Sequence, residues 1–157
     1  MQGILVTLFI FITIVPYIDS IFIFWVFLAN VYLNGVLKLL HHDPRPFFVV
    51  DEIKAIMWNK SYGNPSGHSM YFTSVLPCLV VVLLEMINRN CRMTLRAKIY
   101  TSIILSISGL FILLSILGRV YLGVHSLDQI LYGSLMGTSI WLYFLFVARR
   151  PITQYFR

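Results

Sequence analysis

The segment Tyr62–Leu84 reads YGNPSGHSMYFTSVLPCLVVVLL and joins a short polar turn to a long apolar run. From Ser69 to Leu84 the run contains no Asp, Glu, Lys or Arg. A helix needs roughly 17–25 mostly apolar residues to cross a bilayer, and lipid offers the backbone no hydrogen-bond partners outside the helix itself. The segment therefore predicts a membrane-spanning helix whose entrance is the turn PSGH at residues 65–68.

The composition of the whole chain favours the same environment. Of its 157 residues 59% are hydrophobic and 11% are charged, whereas a soluble domain carries about 25% charged residues. Further runs without acidic or basic residues are Met1–Ile18, Ser20–Leu37, Ile99–Gly118 and Gln129–Ala148. The first run has no basic start and no small-residue cleavage site, which favours a retained span over a signal peptide. We expect an all-α, polytopic transmembrane bundle of about five spans, forming one membrane-embedded domain over residues 1–157.

The charged residues predict how this bundle is threaded. With five crossings, the loops at 38–67 and 119–128 lie on one side of the membrane together with the N-terminus. The opposite side carries the basic residues Arg89, Arg92, Arg96, Lys98, Arg149, Arg150 and Arg157. Because Lys and Arg concentrate on the cytoplasmic side, the first side is expected to face the lumen or the exterior. Orientation thus accounts for the net charge of +6, and no nucleic-acid partner is expected.

Three polar clusters lie on the predicted luminal or exterior side. They are the segments 38–46, with Lys38 and Arg45, 65–68, with Ser66, Gly67 and His68, and 118–129, with Arg119 and His125. Each has an ordinary explanation when taken alone, because basic residues anchor helix ends and a PSGH turn can begin a helix. Charged groups at a membrane boundary are costly unless paired or wet, and several on one face indicate a shared functional site.

The residue types in these clusters suit phosphate chemistry. Each of two arginines can bind two phosphate oxygens at once, and a lysine adds a point charge. The Ser66 hydroxyl and the backbone amides near Gly67, at a helix start, would complete an anion cradle. One histidine could attack phosphorus while the other protonates the leaving oxygen and later activates water. Carboxylates are scarce, so no metal or other cofactor is expected.

The ordered motifs resemble a known family. Lys-x6-Arg-Pro, Pro-Ser-Gly-His and Arg-x5-His, found between Lys38 and about Gly133, resemble the signature of the type 2 phosphatidic acid phosphatase superfamily. That superfamily also includes glucose-6-phosphatase and the vanadium haloperoxidases. The resemblance implies a helical-bundle core, with His68 as general acid and His125 as nucleophile. It implies phosphate binding by Lys38, Arg45, Ser66, Gly67 and Arg119.

Two positions depart from the family pattern. Gly118 stands where the family commonly has serine, and Gln129 stands where it usually has an aspartate that orients the nucleophilic histidine. Glucose-6-phosphatase resembles this chain in having glutamine there. On a helix, residues three and four positions after His125 can both reach its face. Asp128 and Gln129 are therefore both candidates for orienting the imidazole.

These observations predict an integral-membrane, metal-independent phosphatase that hydrolyses a lipid phosphate or isoprenyl diphosphate through a phospho-histidine. One alternative is a sugar-phosphate phosphatase, which is supported by Gln129 and by the predicted luminal orientation of the site. Another is a phosphate-ligand-binding membrane protein without turnover, and a haloperoxidase is the weakest reading. We expect a phosphate-ester substrate and membrane lipid as partners, with no indication of oligomeric state. The expected location is the endoplasmic reticulum, another endomembrane or the plasma membrane, with the site luminal or extracellular.

The loop between the second and third spans carries three further features. The pair Phe47-Phe48 is consistent either with an interfacial re-entrant turn or with a role in substrate access. The run His41-His42-Asp43 is not expected to hold a metal, because adjacent residues at a helix end face different ways. The triplet Asn59-Lys60-Ser61 is a glycosylation sequon on the predicted luminal side.

Overall fold

The computed structural model describes residues 15–54, 60–90 and 95–156. Its helices are α1 (Tyr17–His41), α2 (Pro46–Val49), α3 (Gly67–Asn90), α4 (Leu95–Tyr121), α5 (Leu127–Tyr143) and α6 (Arg149–Tyr155), with a π-helical turn at Phe144–Ala148 between the last two. The three described ranges contain no strand. Most of the first predicted span, the sequon residue Asn59 and the loop residue Arg92 lie outside them.

Four helical stretches are long and apolar enough to cross a membrane. They are Tyr17–Val49, Gly67–Ile87, Leu95–Tyr121 and Leu127–Tyr155. They coincide with the last four predicted spans, so the prediction of an all-helical polytopic membrane bundle is confirmed. The helices continue past the uncharged runs at both rims, because a helical backbone keeps its hydrogen bonds while polar side chains extend toward water. Lys38 and Arg119 consequently lie on helix ends and not in the predicted loops.

The central helix of the bundle is α3, which packs against α1, α4 and α5. Its buried side chains include Met70, Val75, Cys78 and Leu79, and they meet Phe22 and Val26 of α1 and Ile140 of α5. The contact with α5 is close because Gly137 has no side chain; a Cβ there would collide with the Met70 carbonyl and the Thr73 hydroxyl. Small residues at such crossings let membrane helices approach closely.

The two ends of the bundle carry different groups. At one end the C-termini of α1 and α4 meet the N-termini of α3 and α5, and this end holds all three motifs. At the other end the Arg149 guanidinium donates to both carboxylate oxygens of Glu85, at 2.6 and 2.7 Å. Arg149 also lies 3.6 Å from Asp19 and stacks over the Phe22 ring. This cluster ties α1, α3 and α6 together at the end opposite the motifs.

Candidate active site

Arg45 lies at the centre of the motif end, immediately before α2. It is only 3% exposed, and protein groups accept most of its hydrogen bonds. Its Nε donates to the Ser61 carbonyl at 2.8 Å and its Nη2 to the Ser61 hydroxyl at 3.0 Å. Its Nη1 donates to the Val124 carbonyl at 3.1 Å and lies 3.3 Å from Nε2 of His125. The first and third motifs are therefore in direct contact.

His125 is buried in the tight turn that joins α4 to α5. The turn closes through Gly123, whose φ of 68° is unfavourable for residues with a side chain. Because a guanidinium can only donate, Nε2 of His125 must accept the bond from Arg45 and carry no proton. The proton then resides on Nδ1, which donates to Oε1 of Gln129 at 3.3 Å. The Nε2 lone pair is thus directed at the buried arginine.

Gln129 holds this tautomer through a second fixed contact. Its Nε2 donates to the Pro44 carbonyl at 2.9 Å, so Oε1 must be the atom that faces His125. A Cβ at Gly63 would lie 2.5–2.8 Å from the Gln129 amide atoms, which means that Gly63 leaves room for the glutamine. Asp128 is exposed at the first turn of α5. Of the two candidates for orienting His125, the structure brings Gln129 against the ring.

The electrostatics of the site keep His125 neutral. Its pKa is lowered from 6.5 to about 3, chiefly because burial disfavours the charged imidazolium. The positive charge of Arg45 lowers the pKa further, as do those of Lys38 and Arg119, while the hydrogen bond with Gln129 acts in the opposite direction. A neutral imidazole is the form that can act as a nucleophile.

The remaining cations and His68 lie at the same end of the bundle as this pair. Lys38, in the last turn of α1, donates from Nζ to the Tyr62 carbonyl. Arg119 lies half-buried in the last turn of α4, and His68 lies half-buried in the first turn of α3. The charges of Arg119, Arg45 and Lys38 all act on His68. The three predicted cations and both predicted histidines therefore form one electrostatic cluster.

The PSGH turn is fixed in place by its own backbone. Ser66 is fully buried; its amide donates to the Gln129 carbonyl at 3.0 Å, and its hydroxyl accepts from Ser69 at 3.0 Å. A Cβ at Gly133 would lie 2.7 Å from the Ser66 carbonyl oxygen, so α5 approaches the turn as closely as a glycine allows. Gly67 begins α3 with the Asn34 side chain beside it. The Ser66 hydroxyl is accordingly enclosed by protein in this structure.

Sequence reasoning missed the segment that precedes this turn. Ser61 and Tyr62 hold Arg45 and Lys38 through their main-chain carbonyls, and every residue type has such a carbonyl, so the sequence gives no sign of it. It also missed Asn34, whose Nδ2 lies 3.5 Å from the Pro65 carbonyl, and Asn30, which donates to Ser74 at 2.7 Å. These asparagines were detectable in principle, because amide side chains are unusual within a predicted membrane span.

The other features of the loop have separate surroundings. Nε2 of His41 lies 3.2 Å from the Tyr132 hydroxyl, whereas the His42 ring packs against Tyr62. Within the described residues no group of three His, Cys, Asp or Glu side chains is arranged to hold a metal ion. The Phe47 and Phe48 ring centroids lie 4.4 Å apart with the ring planes tilted by 45°, and Phe48 is 53% exposed. The short helix beside Arg45 thus presents an apolar surface at the rim of the bundle.

Comparisons with known proteins agree with this arrangement. A glucose-6-phosphatase catalytic subunit 1 from Haplochromis nubilus is 28% identical over 130 residues, which cover 74% of this chain and 37% of the relative. The chain thus spans well under half the length of that curated relative. A crystal structure of a transmembrane PAP2-type phosphatidylglycerolphosphate phosphatase from Bacillus subtilis superposes with a TM-score of 0.78 and 23% identity. The superposition covers 95% of this chain and 70% of the bacterial one, and it shows a shared fold.

The family itself is identified by sequence. The sequence model of the PAP2 superfamily matches residues 19–152. This range contains all three motifs and the four described spans almost entirely. The resemblance stated above is thereby confirmed, and the chain belongs to the PAP2 superfamily.

Proposed function

We propose that the protein is an integral-membrane phosphatase that hydrolyses a phosphate ester or diphosphate through a covalent phospho-His125. The observation that carries this proposal is the 3.3 Å contact between Nη1 of Arg45 and Nε2 of His125. A phosphoryl group held by Arg45 would lie against this unprotonated nitrogen, whose lone pair would then face phosphorus in place of Nη1. Membership of the PAP2 superfamily supports the same reaction class.

In the first half-reaction the Nε2 lone pair attacks phosphorus while the bond from phosphorus to the leaving oxygen breaks. His68 donates a proton to that oxygen, and Lys38, Arg45 and Arg119 stabilise the charge on the equatorial oxygens. In the second half-reaction His68 takes a proton from water as the water oxygen bonds to phosphorus. The phosphorus–Nε2 bond then breaks, and inorganic phosphate leaves with the original imidazole restored. Each step draws only on groups of this chain and water.

A lipid phosphate or an isoprenyl diphosphate is the substrate class we favour. The cluster lies at the ends of membrane-spanning helices, where a headgroup can enter while its tail stays in lipid. Phe48, Val49 and Val50, which follow Arg45 at a distance of three to five residues, are exposed, so an apolar surface lies close to the cradle in the chain. A sugar phosphate is the second candidate, and it is favoured by Gln129 and by the similarity to a glucose-6-phosphatase.

The decisive experiment measures phosphate release by purified protein in detergent from phosphatidate, isoprenyl diphosphate and glucose 6-phosphate. We expect release to fall by at least about a thousandfold in His125→Ala, as is usual when a covalent nucleophile is removed. Rapid quenching with labelled substrate should trap phosphate on a histidine of the wild type. Equal, slow release by wild type and variant would instead support a phosphate-binding membrane protein without turnover.

We further propose that the site faces the lumen of the endoplasmic reticulum or another endomembrane compartment, or the cell exterior. The support is the concentration of Lys and Arg on the other side of the bundle. Arg96, Lys98, Arg149 and Arg150 all belong to that side in the sequence.

A further inference from the structure

One residue outside the three motifs holds a complete edge of the Arg45 guanidinium. Ser61 accepts from Nε through its carbonyl at 2.8 Å and from Nη2 through its hydroxyl at 3.0 Å. Nε and Nη2 form the side edge of the planar fork, and Nη1 and Nη2 form its end edge. With the side edge taken by Ser61, an anion that binds the fork would meet its end edge and replace His125 as an acceptor from Nη1.

The end edge points toward His125. Nη1 lies 3.3 Å from Nε2 of His125 and donates to the Val124 carbonyl at 3.1 Å. We propose that Ser61 is a positioning residue: its hydroxyl fixes the plane of the Arg45 guanidinium, so that the end edge presents the bound phosphoryl group to His125. The role of Ser61 in turnover rests on the proposed function, whereas its role in anion binding does not depend on that function.

The hydroxyl is the part of Ser61 that a substitution can remove. In Ser61→Ala the Ser61 carbonyl still accepts from Nε and the Val124 carbonyl still accepts from Nη1, but Nη2 loses the hydroxyl, so its edge of the fork is held less firmly. A fork that is no longer preorganised binds its anion more weakly. Ser61 is exposed, so the substitution leaves no cavity in the bundle core. Ser61→Thr keeps a hydroxyl at the same position.

The test measures the affinity of the full-length protein in detergent for inorganic phosphate by calorimetry. We expect Ser61→Ala to raise the dissociation constant for phosphate about tenfold, the size expected for the loss of one hydrogen bond to a charged group. Ser61→Thr should restore it to within about twofold of the wild type. The thermal midpoint without phosphate should be unchanged in both variants, which a purely structural role would not predict. Wild-type affinity in Ser61→Ala, or failure of Ser61→Thr to restore it, would overturn the proposal.

A second control addresses the sequon. Ser61→Ala removes the glycosylation sequence Asn59-Lys60-Ser61, whereas Ser61→Thr preserves it. Asn59→Gln removes the sequon and keeps the hydroxyl, so it should bind phosphate like the wild type. If Asn59→Gln reproduced the weakened binding, the effect would come from the glycan and the proposal would be wrong. Ser106→Ala, on the exposed surface of α4, is the matched control for the chemical change.

The catalytic arm keeps this inference separate from the proposed function. If the wild type and His125→Ala release phosphate equally, the phospho-histidine mechanism fails, yet the calorimetric comparison of Ser61 variants still decides the positioning role. If turnover is present, Ser61→Ala should raise KM about tenfold and Ser61→Thr should reverse the change. Unaltered kinetics in an active Ser61→Ala enzyme would contradict the inference while leaving the mechanism intact.

Discussion

The orientation of His125 depends on an amide with one donor and one acceptor end. Pro44 offers a carbonyl and requires a donor, and Nδ1 of His125 carries a proton and requires an acceptor. An amide satisfies both at once, whereas an ionised carboxylate has no donor. Gln129 therefore fits both of its hydrogen-bond partners, which an aspartate or glutamate in its ionised form would not.

Gln129→Glu tests this reasoning directly. The substitution keeps the side-chain length and adds negative charge near His125, but it sets a carboxylate oxygen against the Pro44 carbonyl. We expect kcat/KM to fall about tenfold or more, the cost of a buried acceptor left without its donor. The measurement is steady-state phosphate release at pH 7. Higher activity in the variant would mean that charge matters more than the Pro44 contact.

Asp128→Asn is the matched control for that prediction, since it alters charge at the neighbouring position of the same helix turn. Asp128 is exposed, and exposed substitutions usually change free energies by less than about 0.5 kcal/mol. Its kcat/KM should thus remain within about twofold of the wild type. A loss comparable to that of Gln129→Glu would reassign the orienting role to Asp128.

His125 should remain neutral at pH values where an ordinary histidine is protonated. Because its pKa is lowered to about 3, the imidazolium form appears only as the pH falls toward that value. We expect the ligand-free protein to keep an unprotonated Nε2 and a protonated Nδ1 from about pH 8 down to about pH 5. Nitrogen-15 NMR of histidine-labelled protein, with His125→Asn used for assignment, reads both atoms. A titration centred near the usual histidine pKa would contradict this prediction.

At the scale of helices, the site depends on how closely α5 approaches the PSGH turn. In Gly133→Ala the new Cβ would lie 2.7 Å from the Ser66 carbonyl oxygen and 3.1 Å from the Ser66 nitrogen. Both are backbone atoms that cannot turn away, so α5 must shift and carry Gln129 with it. We expect a destabilisation of about 1–3 kcal/mol from overpacking together with a loss of phosphate release. Thermal unfolding in detergent and the release assay measure the two effects.

Gly118→Ala provides the comparison for that variant. A Cβ at Gly118 meets nothing within 4 Å, and alanine in a helix interior is favoured over glycine by roughly 0.5–1 kcal/mol. The variant should be at least as stable as the wild type. It should also retain activity, although position 118 is next to Arg119 in the chain. If both glycine variants lost stability equally, close packing at Gly133 would not be the cause.

The helices could be predicted from the sequence because uncharged runs in lipid have few alternatives. The approach of Lys38, Arg45 and Arg119 to one end also followed, from the alternation of loops across the membrane. The exact helix ends did not follow, because the charged residues Lys38 and Arg119 are still helical. Contacts made by backbone atoms, such as the carbonyls of Pro44 and Ser61, leave no pattern in the side chains and had to be observed.

At the scale of the whole molecule, the two ends of the bundle differ in how their positive charges are compensated. At the motif end, Lys38, Arg45 and Arg119 lie together without a compensating carboxylate reaching them among the described contacts, which suits an incoming anion. At the other end, Arg149 is compensated by Glu85 and Asp19. An anion would therefore be drawn to the motif end, and under the proposed function the side that this end faces decides which pool of substrate is accessible.

That orientation can be tested by labelling single cysteines from one side of the membrane. Asp51, on the motif side, and Tyr155, at the end of α6, are both exposed. In a Cys91→Ser background the remaining cysteine, Cys78, is fully buried. In sealed vesicles with the cytoplasmic face outward, an impermeant maleimide should label Tyr155→Cys at once and Asp51→Cys only after permeabilisation. The reverse pattern would put the site in the cytoplasm and show that the basic residues do not set the orientation of this bundle.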